Sequence, residues 1–171
     1  MERSTLIPVE EYLSTSYRPD REYVNGTLVE RNVGERDHSE LQMALSAYLF
    51  NRRRELNIRV FPEQRVQVKA TRFRVPDVCV VAGDKPQEQI LSSPPFLCVE
   101  ILSKDDRMSE MQERIHDYLS FGVRYVWVID PRTKRAYVHT SEGIRETKDA
   151  LRTQNPDILV PLNELFAQSA G

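Results

Sequence analysis

Two acidic residues stand where an acid is costly. Asp77 follows Pro76 at the head of the apolar run Val78-Cys79-Val80-Val81, and Glu100 closes a second run, Leu97-Cys98-Val99. A carboxylate at the edge of a buried strand needs a partner, and alone each reads as a strand-end or capping acid. As a pair they say more. If the two runs are antiparallel neighbours, the register that sets Asp77 opposite Glu100 also sets Cys79 opposite Cys98. Side chains alternate with period two along a strand, so all four share one face. Two like charges held this close call for a cation. Hard carboxylate oxygens suit Mg²⁺ or Mn²⁺, and such an ion activates water against a phosphodiester.

The elements that must hold this pair follow from the pattern around it. Strands are predicted near residues 65–69, 73–82 and 96–102. They follow one another without an intervening helix, which predicts an antiparallel meander. The last two are apolar almost without alternation, as in a sheet interior. Ser103 and Asp106 mark a helix start. That helix carries Met108, Met111, Ile115, Tyr118 and Leu119 on one face and stops at Gly122. It returns the chain to a buried strand over 124–130, parallel to its neighbour, and an outer strand follows over 135–140. Upstream, residues 9–17 are weakly helical, and Asn25-Gly26 is a hairpin turn within 21–30. A helix over 37–54 has Asp37 and Glu40 as a capping box and a stripe of Leu41, Ala44, Leu45, Tyr48 and Leu49. Residues 141–171 read as a peripheral extension with a closing helix over 162–166. The sum is one α/β domain over residues 1–171, a mixed β-sheet flanked by helices.

Composition narrows the function. A chain of 171 residues, 40% hydrophobic and 29% charged, can bury a sizeable core in one domain. The opening lacks a basic patch followed by an apolar run, and no stretch of about 18 apolar residues occurs, so a cytoplasmic protein with no membrane contact is expected. Cys79 and Cys98 lie inside apolar runs, as buried reduced thiols do, and two cysteines are too few for a zinc site. A net charge of −2 argues against an indiscriminate polyanion binder. The local basic patches are Arg52-Arg53-Arg54, read as a solvated helix end, and Arg72 with Arg74. No phosphate-cradling glycine loop or Ser-His-Asp pattern is present.

The string Arg21-Glu22-Tyr23-Val24-Asn25-Gly26-Thr27-Leu28-Val29 resembles the Tyr-Glu-Leu-Ile-Asp-Gly-Glu-Leu opening of the Uma2 family of restriction-endonuclease-like proteins. His38 with its amphipathic helix, Pro76-Asp77-Val78, Val99-Glu100-Ile101-Leu102-Ser103, and Tyr118 through Asp130-Pro131 resemble that family's further blocks, in the same order. The family is similar to the PD-(D/E)XK nuclease superfamily. The resemblance implies a restriction-endonuclease-like mixed sheet, and Mg²⁺ or Mn²⁺ held by Asp77, Glu100 and the main-chain carbonyl of Ile101. It also implies DNA as substrate and a homodimer, since cutting two strands needs two sites.

The chain departs from the pattern at the lysine. The place two residues after Glu100 holds Leu102. The family's alternative, four residues before a helical tyrosine, holds Arg114 ahead of Tyr118. Arginine stabilises phosphate charge but does not readily give up a proton, its pKa exceeding about 12. Either the metal acts on water without a lysine, or Lys104 reaches in from the strand end. Arg114 is expected in the cleft, paired with one of the two acids when no metal is bound. His38 reads as a contact to phosphate or water at the metal, or as a histidine at a helix start. Glu22 reads as a further site carboxylate or as an exposed hairpin acid. His116 and His139 read as structural. Two functions stand side by side: a metal-dependent endonuclease, and a nuclease-like domain that binds nucleic acid or a protein partner without cutting.

Overall fold

The computed structural model describes residues 5–31 and 34–167. In chain order the elements are α1 (Val9–Ser14), β1 (Glu22–Val24), β2 (Thr27–Val29), α2 (Arg36–Asn51), α3 (Arg53–Leu56), β3 (Ile58–Pro62), β4 (Val66–Lys69) and β5 (Arg72–Arg74). There follow β6 (Val78–Ala82), β7 (Leu97–Ile101), α4 (Met108–Phe121), β8 (Tyr125–Asp130), β9 (Arg135–Thr140), β10 (Gly143–Thr147), β11 (Ala150–Arg152), β12 (Leu159–Pro161) and α5 (Leu162–Ala167). They build a six-stranded sheet of order β10-β9-β8-β7-β6-β3, a four-stranded sheet of order β2-β1-β5-β4, and the pair β11-β12. In the large sheet β7 and β8 run parallel, joined through α4, and the other neighbours run antiparallel. The expected mixed sheet flanked by helices is the one observed.

Both faces of the large sheet are covered, which is why its central strands are apolar throughout. On one side Leu41, Leu45 and Leu49 of α2 and Leu165 and Phe166 of α5 pack on Val78, Val80, Leu97, Val99 and Trp127. On the other, Met111, Ile115 and Tyr118 of α4 pack on Cys79, Cys98, Val126 and Val128. The register of β6 on β7 pairs Val78 with Val99, Cys79 with Cys98 and Val80 with Leu97. It is the register that the acids and thiols predict, and both strands lie inside the sheet.

Cys79 and Cys98 are fully buried, and burial pushes the Cys79 thiol up to about 12 and that of Cys98 well above its ordinary range. A thiolate is the reactive form. A colourimetric thiol reagent at pH 8 should therefore find no reactive cysteine in the native protein and two after denaturation. Release of two equivalents from the folded protein within minutes would contradict the packing.

Several boundaries differ from the sequence expectation. The predicted strand over 73–82 is two strands in two sheets, because Pro76 has no N–H to donate and interrupts the ladder between β5 and β6. The strand near 65–69 accordingly pairs in the small sheet as β4, not in a meander with β6 and β7. The edge strand β3 was not foreseen. Its alternation is faint, and it opens directly after Asn57, whose left-handed φ of 50° ends α3 as a glycine would. Helix α2 begins at Arg36 with Glu35 as its cap, so Asp37 lies in the first turn and forms no capping box. Asp106 accepts the Ser103 N–H at 2.7 Å in a turn, and α4 starts only at Met108. Residues 141–167 are less peripheral than expected. Strand β10 extends the large sheet, and Leu151, Ile158, Val160 and Leu165 enter the main core.

The amino-terminal hairpin forms as read, with Asn25 at φ 49° and Gly26 at φ 93°. Gly26 takes a left-handed φ that a side chain rarely adopts, and a Cβ there would also press on the exposed Leu6 side chain, 3.0 Å away. At the other end of α4, Gly122 at φ 113° lets the chain leave the helix toward β8.

Candidate functional site

The cleft lies at the carboxyl end of β7, where β6 begins. Asp77 stands one residue before β6, in the place the register sets against Glu100. Its Oδ2 accepts the Ile101 main-chain N–H at 2.7 Å. Its Oδ1 accepts from Arg31 Nη2 at 2.9 Å and lies 3.2 Å from His38 Nε2. Its own carbonyl accepts from Gln42 Nε2 at 2.9 Å and from the Glu63 N–H at 3.2 Å. The first turns of α2, the end of β7 and the residue after β3 thus all fix this one aspartate.

Glu100 is the opposite case. It is buried, and Tyr118 Oη donates to its Oε1 at 2.7 Å. Burial, and after it the charge of Asp77, push the Glu100 carboxyl up to about 8, against the pull of Arg114 and the tyrosine bond. Tyr118 reaches Glu100 because α4 covers the face of the sheet that Asp77, Cys79, Cys98 and Glu100 share.

Glu22 is buried too, so the exposed-hairpin reading is corrected. Its Oε2 accepts from Arg74 Nη1 at 2.9 Å and Arg114 Nε at 3.1 Å, and its Oε1 from the Val75 N–H at 3.1 Å. Arg74 Nε continues to Asp117 Oδ2 at 2.7 Å, which Arg72 Nη1 joins through Oδ1 at 2.8 Å. The small basic patch of Arg72 and Arg74 is therefore an ionic seam between the small sheet and α4. A charge of either sign left alone here would be costly, and each has a partner.

Arg114 lines the cleft as expected but pairs with Glu22, and more distantly with Asp106 at 4.0 Å. The guanidinium that sits on Asp77 belongs to Arg31, which sequence reasoning missed. Burial opposes the charge of both arginines, yet Asp77 beside Arg31 and Glu22 beside Arg114 hold them more firmly protonated than usual. Burial likewise pulls His38 down, but the hydrogen bond and charge of Asp77 outweigh it and leave the imidazole above its ordinary 6.5. The His38 Nδ1 is buried without a hydrogen-bond partner among the described residues. Lys104 stands outside the cleft lining, its side chain 62% exposed and 3.8 Å from Glu35. Arg52 and Arg53 fold onto the rings of Tyr48 and Phe50 at 3.6 and 3.7 Å and do not join the site.

Ten residues enclose the cleft, among them Glu22, Arg31, His38, Asp77, Glu100 and Arg114, around a free volume of about 30 Å³. That is space for about one or two waters. A family model described as "Putative restriction endonuclease" matches residues 9–167. The chain belongs to that family, Uma2. A crystal structure from Anabaena variabilis ATCC 29413, described as "a putative nuclease belonging to DUF820", superposes with a TM-score of 0.83, 20% identity, and coverage of 95% of this chain and 99% of that one. At that identity the likeness speaks for the fold. No curated protein matches the chain. Uma2 membership covers α1 through α5, so the cleft and the sheet that carries it lie wholly inside the family region. No helix among the described residues is long and apolar enough to cross a membrane.

The residues that a Uma2 nuclease site was expected to use are largely brought together. Asp77, Glu100, Ile101, His38, Glu22 and Arg114 all line one cleft, and Lys104 does not. The signal for Arg31 was thin: a single cation just past the hairpin, whose partner lies 46 residues away.

Proposed function

We propose that this Uma2 chain is a divalent-metal-dependent endonuclease of the PD-(D/E)XK kind that hydrolyses phosphodiester bonds of DNA. The observation that carries it is the antiparallel register of β6 on β7, with Asp77 set against Glu100 and bonded to the Ile101 main chain. The family and the fold of its neighbour support a nuclease.

The donor set fits a hard cation. Two carboxylates face one small space, and one of them, Glu100, is pushed toward its neutral form by burial and by the charge of Asp77. The N–H and C=O of one strand residue leave on the same side, so the Ile101 carbonyl is directed to the edge where its N–H meets Asp77. No group of three or more His, Cys, Asp or Glu side chains in metal-holding geometry occurs among the described residues; the third ligand in this reading is that carbonyl. Bound there, Mg²⁺ or Mn²⁺ supplies positive charge for the phosphate and lowers the pKa of water.

The chain's own residues then have distinct tasks. Asp77 and Glu100 hold the ion. Tyr118 orients Glu100 through its phenol. Arg114 cannot act as a base, since its carboxylate partner holds its proton more firmly than usual; it supplies fixed positive charge beside the phosphate. His38 fixes Asp77 from α2 through its Nε2. Glu22 anchors Arg114 and Arg74. Cutting both strands would take two copies of the chain.

Manganese-dependent nicking of supercoiled plasmid is the direct test. Wild type should nick and Asp77→Ala should lose at least about a hundredfold, since even outer partners of a metal ligand commonly cost ten- to a hundredfold. One observation favours the reading without cutting: Arg31 already neutralises Asp77. Absence of Mn²⁺ binding by the wild type would decide for that alternative, a binding domain for nucleic acid or protein.

A further inference from the structure

We propose that Arg31 is a built-in counter-cation that must leave Asp77 when a divalent ion binds, and that Glu63 is the seat it leaves for. The inference rests on the metal-site reading above. One guanidinium spans two carboxylates: Nη2 lies 2.9 Å from Asp77 Oδ1 and Nη1 lies 3.3 Å from Glu63 Oε1. The two differ in exposure, 5% for the Asp77 side chain and 55% for Glu63. The arginine is thus tied to one acid inside the cleft and one at its rim.

The backbone holds this arrangement in place. Glu63 follows β3 with a left-handed φ of 49°, an uncommon conformation for a residue with a side chain. Its N–H donates to the Asp77 carbonyl at 3.2 Å. Wherever Asp77 sits, Glu63 sits beside it, so the rim acid is registered to the site acid through the main chain.

A divalent ion at Asp77 and a guanidinium on the same oxygen would repel strongly at this separation and low exposure. The arginine head must withdraw. Its long stem allows a pivot, and Nη1 is already on Glu63, so withdrawal forfeits one ion pair and keeps the other. The retained partner makes the exchange reversible, and the charge at Asp77 is never left bare.

Calorimetric titration of Mn²⁺ into the full chain separates the elements of this device. Arg31→Gln should bind Mn²⁺ about tenfold more tightly than wild type, a difference of about 1.4 kcal/mol. Glu63→Gln should bind several-fold more weakly, because the arginine then has only Asp77 to hold. Arg31→Gln/Glu63→Gln should match Arg31→Gln alone. Glu63 is largely exposed, so its variant tests the idea even if Arg31→Gln folds poorly. Arg31→Gln with unchanged or weaker affinity overturns the proposal. So does a Glu63→Gln deficit that persists in the double variant, since Glu63 would then act merely as a nearby charge. Asp77→Asn distinguishes the two layers. Mn²⁺ binding that depends on Asp77 but not on Arg31 leaves the metal site standing and removes the arginine's role. Binding indifferent to Asp77, or absent in every variant, removes both.

Discussion

Asp77→Asn is expected to melt on the order of 10 °C below wild type in metal-free buffer and to lose Mn²⁺ affinity more than about a hundredfold. The stability loss follows from the donors. Ile101 N–H, Arg31 Nη2 and His38 Nε2 converge on the two carboxylate oxygens, and the side chain is 5% exposed. An asparagine offers one acceptor and one NH₂, so whichever way the amide turns, donor faces donor. Arg31 keeps Glu63, which limits the damage to about 3 kcal/mol, the lower end of the cost of breaking a buried ion pair. For a chain of this length 1 kcal/mol moves the melting temperature by about 2–4 °C. Thermal denaturation with chelator and calorimetry with Mn²⁺ measure the two effects. A variant that melts and binds as wild type does would show that the cleft is built on other residues.

Glu100→Gln should move stability the other way. The native Glu100 carboxyl keeps its proton up to about pH 8, while the unfolded chain gives it up near 4.5. Between those values the native state binds the extra proton, so wild-type stability falls as pH rises. Glutamine keeps the acceptor for Tyr118 Oη and carries no charge to repel Asp77. The variant should therefore exceed metal-free wild type by on the order of 4 kcal/mol at pH 8, the difference shrinking to nothing near pH 4.5. Mn²⁺ should restore the wild type and leave the variant unmoved. Urea midpoints in chelator from pH 4.5 to 8.5 check this, and parallel curves for the two proteins would contradict it. The two acids of one pair thus differ: one is held by donors, the other is destabilising until a cation arrives.

Local signals were legible in the sequence, and among distant ones only the β6–β7 register was. The Asn25-Gly26 hairpin and the Gly122 stop each depend on a few neighbouring residues, and both formed as read. The register of β6 on β7 was also legible, because two acids and two thiols at matching offsets admit one alignment. Pro76 was in plain view, but the apolar run around it outweighed the missing N–H, and one strand was read where two sheets meet. Arg74 looked like surface charge because its partners, Asp117 and Glu22, lie 43 and 52 residues away. Arg31 was hidden in the same way. A charged residue announces its burial only through its partner, and nothing local names that partner.

The bonds that shape the cleft join places 24, 46, 52 and 92 residues apart: Ile101 to Asp77, Arg31 to Asp77, Arg74 to Glu22, and Arg114 to Glu22. Loop closure costs grow only logarithmically with such spans, so the finished arrangement is cheap to keep. It is slow to assemble, because every span must be closed before any contact rewards it. A chain emerging from synthesis has Arg31, His38 and Asp77 before it has Glu100, Arg114 and Tyr118, which complete the cleft. Nascent and proteolysed copies therefore carry the ingredients of the cleft without the cleft itself, and any chemistry it performs is reserved to chains that have closed completely.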